Sequence, residues 1–182
     1  QVVEAITVNT TELFRDPPVW RYLYEKFLPY YKQNKFINIW LAGCSTGQEV
    51  FSLMILLSEL DLLKRSQIFA TDISQQAIDA AKKGVYKSQL DRGCMDNFKQ
   101  VFRNQNEKKI EFSQYFEVDE EKDIVTVRPF LKENIKFMKH DLVKSKMPFY
   151  NKMDIIFCRN VLIYFNAQLQ NKILQRFFDN LY

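Results

Sequence analysis

The segment from Ile37 to Ser52, INIWLAGCSTGQEVFS, sets an apolar run, a tight small-residue turn and a fresh apolar-periodic segment in immediate succession. That order is strand, turn, helix, and it commits the chain to an α/β architecture. Ile37, Ile39, Trp40, Leu41 and Ala42 have the pattern of a short strand buried on both faces, as in a parallel sheet covered by helices. Gly43, Cys44, Ser45, Thr46 and Gly47 put small side chains where the backbone turns. A ligand is expected to approach the N–H groups of this turn closely, with glycine free to adopt positive φ. Glu49 then falls in the first turn of the next helix, where unpaired N–H groups and the positive dipole end favour a carboxylate or a polar ligand.

A second unit repeats the theme. Gln67 to Ile73, QIFATDI, is a short apolar strand that ends in an acid, and Ser74 is a suitable N-cap for the helix that begins QQAIDAAKKG. An acid at the tip of the second strand suits ribose hydroxyls, so Asp72 with Ile73 beside it joins the turn residues Gly43, Cys44, Ser45 and Gly47 as a candidate ligand contact. In dinucleotide-binding folds a carboxylate about 20 residues beyond the glycine turn holds the ribose. Here the separation is longer and the glycine pattern is not GxGxxG. A nucleoside cofactor without phosphates fits better, and S-adenosylmethionine carries the same ribose diol with no phosphate to cradle.

Composition bounds the alternatives. A chain of 182 residues with 47% hydrophobic residues suits one domain with a sizeable core. No apolar run approaches the ~20 residues that span a bilayer, and QVVEAITVNTTELFRD at the N-terminus lacks a basic region followed by an apolar one, so a cytoplasmic protein is expected. Cys44, Cys94 and Cys158 have no CxxC spacing and there is a single His, which argues against a zinc site. The net charge of +4 is scattered and forms no basic stripe with exposed aromatics, so nucleic acid is not the expected partner.

The remaining segments complete the plan. Thr11 reads as an N-cap with Glu12 to Arg15 as one helical turn, closed by Pro17-Pro18. Val19, Trp20, Leu23, Phe27 and Leu28 recur at helical spacing, the helix after the glycine turn is expected to continue to Leu63 with Lys64-Arg65 at its end, and Gly84 reads as a C-cap. Leu90, Met95, Phe98, Val101 and Phe102 suggest an amphipathic helix, followed by paired strands over Tyr115–Val118 and Ile124–Arg128. Two further strands are expected over Ile135–Leu142 and Met153–Asn160, then a helical region interrupted near Asn166. In open α/β sheets ligands sit beyond the carboxyl ends of the strands, so Asp72, Asp141, Arg159 and Asn160 should converge with the glycine turn.

The stretches VNTTELFRDP, WLAGCSTGQEVFSL, FATDISQQAIDAAKKGVY and FCRNVLIYF occur in an order that resembles the CheR-type chemotaxis methyltransferases, which methylate glutamate side chains of chemoreceptors from S-adenosylmethionine. The resemblance implies a Rossmann-like class I methyltransferase sheet with flanking helices and a small inserted antiparallel β-subdomain. Residues 1–182 then form one catalytic domain, with an N-terminal motif and helix over 1–35 and the insertion over roughly 110–130. The family usually has a small helical domain before the first motif and two more strands after the last, so a longer protein is expected. By the same matching, Asn9, Thr11 and Arg15 close over the cofactor, Glu49 and Asp72 are its binding acids, Asp141 and Leu142 lie on the adenine side, and Arg159, Asn160 and Tyr164 form the polar floor. Asp141 stands where the family often has Asn, Gln48 where it often has Glu, and Val50 where it often has Pro. The inserted hairpin resembles the subdomain that in some members docks a receptor-tethered peptide. The implied partners are chemoreceptor helices, with the enzyme a monomer.

Carboxylate methylation asks little of proton-transfer groups, because a Glu with an ordinary pKa of ~4.3 is already ionised at neutral pH. Arg15 is the candidate to hold one carboxylate oxygen while the other attacks, and Tyr164 to assist through its hydroxyl. The alternatives are a salt bridge of Arg15 with Asp16 or Glu12, and core packing for Tyr164. Cys158 reads as a small core residue, and neither the Pro-Pro-Tyr motif of DNA amino-methylating enzymes nor the Pro-Cys of cytosine-C5 enzymes is present. A non-catalytic domain that binds S-adenosylmethionine or a protein partner remains the second reading.

Overall fold

Alternation along the two central strands decides the layering. In β1 (Ile37–Ala42), Ile37, Ile39 and Leu41 enter one apolar cluster, while Trp40 enters another on the opposite face with Ala42. In β2 (Ser66–Asp72), Ile68 and Ala70 join the first cluster and Phe69 the second. Both faces are covered, which is why these strands read as continuous apolar runs.

The computed structural model describes residues 11–87, 92–103, 109–144 and 148–182. Besides β1 and β2 its elements are α1 (Pro17–Tyr22), α2 (Gln48–Glu59), α3 (Gln75–Lys83), β3 (Val85–Lys87), α4 (Arg92–Phe102), β4 (Phe116–Asp119), β5 (Ile124–Val127), β6 (Ile135–Lys139), β7 (Ile155–Phe157) and α5 (Ala167–Asp179). The main sheet is parallel, in the order β6-β2-β1-β7. A crossover through α2 joins β1 to β2, so the strand order reverses about β1, and ligands bind at such a point. One face is covered by α1, α2 and α4, the other by α5 through Ile173 and Phe177. Val50 to Leu57 of α2 are all buried, which explains its apolar sequence. Among the described residues no helix is long and apolar enough to cross a membrane.

Several local expectations are corrected. Residues Glu12 to Arg15 make a tight turn rather than a helical one: Phe14 has φ 53°, Asp16 φ 62°, and the Arg15 N–H reaches the Glu12 carbonyl at 3.4 Å. The helix stops at Glu59, not Leu63, because Asp61 takes a left-handed conformation (φ 59°) that turns Leu62 into the core. Arg65 instead donates to the carbonyls of Lys32 and Asn34. The helix after Pro17-Pro18 runs through a π turn (Leu23–Phe27) into a 3-10 stretch (Leu28–Gln33). The hairpin gains a third strand, β3, in the antiparallel order β3-β5-β4. The last strand covers only Ile155–Phe157, since Asn160 turns the chain with φ 56° before a 3-10 turn over Leu162–Tyr164. Ser74 caps α3 by accepting from the Ala77 N–H, Gly84 ends it with φ 60°, and Asn166 caps α5 by accepting from the Leu169 N–H. Leu90 and Asn9 lie outside the described residues.

Candidate active site

A cavity of about 740 Å³ opens where β1, β2, β6 and β7 end. Its centre is the glycine turn and Asp72. The turn is shaped from within: the N–H groups of Gly43 and Cys44 both donate to the Thr71 carbonyl at 2.8 and 2.9 Å, and the Ser45 N–H donates to Asp72 Oδ2 at 2.8 Å. The expected approach of a ligand to these N–H groups is therefore closed off. Gly43, Cys44 and Ser45 still border the cavity, but Gly47 does not. It has φ 96°, and a Cβ there would stand 2.8 Å from the Ala81 Cβ, so its role is to let α2 pass close to α3. Asp72 also accepts from the Ser74 N–H at 3.0 Å through its other oxygen. A carboxylate has about four lone-pair sites, so each oxygen keeps capacity for a hydroxyl.

On the β7 side the cavity is charged. Arg159 donates through Nη1 to Glu49 Oε2 at 2.9 Å, and through Nη2 to Asp16 Oδ2 at 2.8 Å and the Arg15 carbonyl at 3.0 Å. Its guanidinium lies 5.4 Å over the Trp20 ring. Burial raises the Glu49 pKa above its ordinary value, opposed by the charge and hydrogen bond of Arg159 and then by Arg15. Thr11, Arg15, Asn160 and Tyr164 border the same end. Asp16, one of the two partners weighed for Arg15, is held by Arg159. Tyr164 is 62% exposed at the rim, which removes core packing as its role. Cys158 is held as a thiol by burial and by Glu49, its pKa pushed up to about 12, and burial likewise raises Cys44.

On the β6 side apolar residues are interspersed with one acid and one base. Ile73, His140, Asp141, Leu142, Val143 and Lys144 border it. Asp141 Oδ1 accepts from the N–H groups of Val143 at 2.8 Å and Lys144 at 3.1 Å, an Asx turn that shapes this wall. Arg176 of α5 clamps the same loop by donating to the carbonyls of Leu142 at 2.7 Å and Val143 at 3.1 Å. Burial lowers the pKa of His140, with Arg176 acting the same way and Asp141 opposing.

The structure thus gathers Thr11, Arg15, Gly43, Cys44, Ser45, Glu49, Asp72, Ile73, Asp141, Leu142, Arg159, Asn160 and Tyr164 around one space, and leaves Gly47 outside it. Sequence reasoning missed His140, Val143, Lys144, Val161, Ile163 and Phe165 among the lining residues. His140, the one histidine of the chain and adjacent to Asp141 at a strand end, carried a usable signal. Ser45 Oγ and His140 Nδ1 are both shut from water without a hydrogen-bond partner, on residues that border the cavity. Buried polar atoms of this kind call for a partner. Backbone strain gathers here too: Phe14 and Asp16 flank Arg15, and Ser45 and Asn160 line the cavity, all at positive φ.

Comparison with known proteins places the chain in a family. The family described as CheR methyltransferase, SAM binding domain, matches residues 9–182. The chain is 32% identical over 190 residues to the chemotaxis protein methyltransferase Cher2 of Pseudomonas putida, covering 100% of this chain and 64% of that one. It is 35% identical over 184 residues to chemotaxis protein methyltransferase 1 of Vibrio cholerae, covering 96% and 60%, and 30% identical over 187 residues to the chemotaxis protein methyltransferase of Borreliella burgdorferi, covering 97% and 61%. It therefore spans a little under two thirds of the length of these relatives. Among solved structures, the plantazolicin methyltransferase BpumL in complex with SAH covers 92% of this chain and 45% of its own at TM-score 0.47 and 17% identity, too distant to bear on the site.

The cofactor of this family is S-adenosylmethionine, and the residues present fit it. Asp72 offers carboxylate oxygens for the ribose diol, and Glu49 is a partly buried acid suited to an ammonium group. The N–H groups of Gly43, Cys44 and Ser45 are occupied within the protein, so the turn makes no phosphate cradle. With a match that runs from residue 9 to residue 182, this chain belongs to the CheR methyltransferase family and carries its SAM-binding domain.

Proposed function

We propose that this domain transfers a methyl group from S-adenosylmethionine to glutamate carboxylates of chemoreceptor proteins, forming glutamate methyl esters. The observation that carries the reading is that Asp72, Glu49 and Arg15 border the same cavity, with Tyr164 exposed at its rim. When bound, the cofactor supplies an electrophilic methyl group on a sulfonium.

The protein residues have separate tasks in this reading. Asp72 accepts from the ribose hydroxyls, and Asp141 and Leu142 bound the adenine. Glu49 meets the positively charged amino group. Arg15 holds one oxygen of the incoming carboxylate by a charge-assisted hydrogen bond, leaving the other free to attack. The Tyr164 hydroxyl donates to the same carboxylate and excludes water from one side. A Glu acceptor is ionised at neutral pH, so the work is positioning and desolvation rather than proton removal. The β4 edge, unpaired among the described residues, is the part of the inserted sheet we assign to a receptor-tethered peptide. The protein acts in the cytoplasm as a monomer in this reading.

The test is transfer of labelled methyl groups to a receptor cytoplasmic fragment by the full-length protein, followed by alkali. Methyl esters release volatile methanol, whereas methylated amines do not. Label released by base is the expected result. Binding of S-adenosylhomocysteine without any transfer would overturn the reaction and leave a SAM-binding module.

A further inference from the structure

Arg159 stands among the residues expected to touch the cofactor, but its hydrogen bonds lead elsewhere. Nη2 has two hydrogens, and both are directed to the N-terminal segment, to the Arg15 carbonyl at 3.0 Å and to Asp16 Oδ2 at 2.8 Å. Nη1 donates to Glu49 Oε2 at 2.9 Å, in the first turn of α2. The guanidinium rests on the Trp20 ring, and Trp20 Nε1 donates to the same Arg15 carbonyl at 2.9 Å. The Phe14 N–H donates to Ser52 Oγ at 2.8 Å, and that hydroxyl donates on to the Gln48 carbonyl at 2.9 Å. The residues on either side of Arg15 are thus held at positive φ, a strained arrangement that persists only where its surroundings enforce it.

We propose that Arg159 is a positioning residue: it ties the Arg15 segment to the first turn of α2 across the loop after β7, and so aims Arg15 into the cavity. The planar fork is what makes this possible, since it serves Glu49 on one arm and the N-terminal segment on the other. A lysine is a point charge that can keep Glu49 paired but cannot hold both sides in one plane. Its partners lie 110 and 143 residues away in sequence, so no local structure substitutes for it. The role is independent of direct cofactor contact. Its consequence for turnover rests on the proposed methyl transfer, whereas its consequence for the Arg15 segment does not.

The experiment uses the full-length protein with Arg159→Lys and, separately, Asp16→Asn. Hydrogen exchange of the ligand-free protein is followed at Arg15 and Val19, whose N–H groups donate to the Glu12 and Asp16 carbonyls. Binding of S-adenosylhomocysteine is measured by calorimetry, and kcat and KM on a receptor fragment. For Arg159→Lys we expect exchange at these amides to speed up by about 10-fold or more and kcat to fall by about 100-fold, as a misplacement of ~1 Å at a catalytic group does. The dissociation constant for S-adenosylhomocysteine should stay within about 3-fold, because Glu49 keeps a cation beside it. Asp16→Asn should shift exchange in the same direction, less strongly. Unchanged exchange in both variants overturns the proposal, as does a loss of S-adenosylhomocysteine affinity that matches or exceeds the loss in kcat. Should Arg159→Lys fail to fold, Asp16→Asn decides alone, and unchanged exchange there overturns the proposal. A wild type that binds S-adenosylhomocysteine but transfers no methyl refutes the proposed reaction, and the exchange result still decides the role of Arg159.

Discussion

The two ends of the cavity are built by different means. On the β7 side, Arg15, Asp16, Glu49 and Arg159 come from three distant parts of the chain and are joined by ion pairs and charged hydrogen bonds. On the β6 side, Asp141 shapes its own loop through bonds to residues two and three positions ahead, while Arg176 clamps that loop from α5 and the His140 N–H donates to the Asp72 carbonyl. An end of linked ion pairs suits the amino-acid part of the cofactor and the acceptor carboxylate, and an end with the apolar side chains Ile73, Leu142 and Val143 suits a purine. The difference also sets the consequences of mutation. Substitutions at the β7 end should act on turnover, on the placement of whole segments and, at Glu49, on affinity, whereas those at the β6 end should act locally and weakly.

The sharpest break is Arg15→Ala. Loss of a charged donor from a transition state typically costs about 100- to 1,000-fold. We expect that loss in kcat on a receptor fragment, with S-adenosylhomocysteine affinity changed by less than about 10-fold; the reverse pattern would move Arg15 from the acceptor to the cofactor. Next is Asp72→Ala, at the boundary of the two ends. It removes the candidate ribose acid and strands the Ser45 and Ser74 N–H groups. A calorimetric titration should show affinity for S-adenosylhomocysteine lowered by about 30- to 100-fold, since hydrogen bonds to a charged group contribute about 1.5–3 kcal/mol.

Glu49→Gln tests the electrostatics of the β7 end. Burial raises the pKa of Glu49, so the protonated form favours folding: its contribution is fullest at acidic pH and is lost as pH rises through the folded value. A neutral glutamine should therefore raise the melting temperature of the ligand-free protein near pH 8 by about 1–3 °C while lowering S-adenosylhomocysteine affinity by about 10-fold. A fall in melting temperature would mean that the Arg159 pairing outweighs the burial. At the other end, Asp141→Asn keeps the side-chain oxygen that shapes the loop and should stay within about 3-fold in affinity, whereas Asp141→Ala should lose somewhat more. Equal effects of the two would show that the carboxylate charge matters there, not the turn. The smallest effect is read on His140. The chain has one histidine, so a single imidazole resonance titrates by NMR, with its midpoint expected below the ordinary 6.5 because burial disfavours the charged form. A midpoint above that value would place a dominant negative charge at the β6 end.

Much of this was legible because it is local. The strand-turn-helix at Ile37–Ser52 follows from a run of apolar residues, small turn residues and a new helical period. The acid at the tip of β2, the Ser74 cap and the Gly84 stop each depend on neighbours within a few positions. The four motifs contain most of the polar residues that border the cavity. The short strand β3 was not legible: three residues, the outer two exposed, are too few to carry a period of their own and become a strand only because β5 lies beside them.

The sequence by itself determined which residues could form strands and helices and which acids would stand at strand ends, since hydrophobic period, caps and turn chemistry act over a few residues. Tertiary structure decided what those residues do. The N–H groups of the glycine turn were free to meet a ligand until Thr71 and Asp72, on the neighbouring strand, took them. Arg159 was a polar residue after a strand until folding brought Glu49 and Asp16 to either side of its guanidinium. Hydrogen bonds and ion pairs depend on position to within tenths of an ångström, and positions separated by more than 100 residues are set only when the sheet has closed between them.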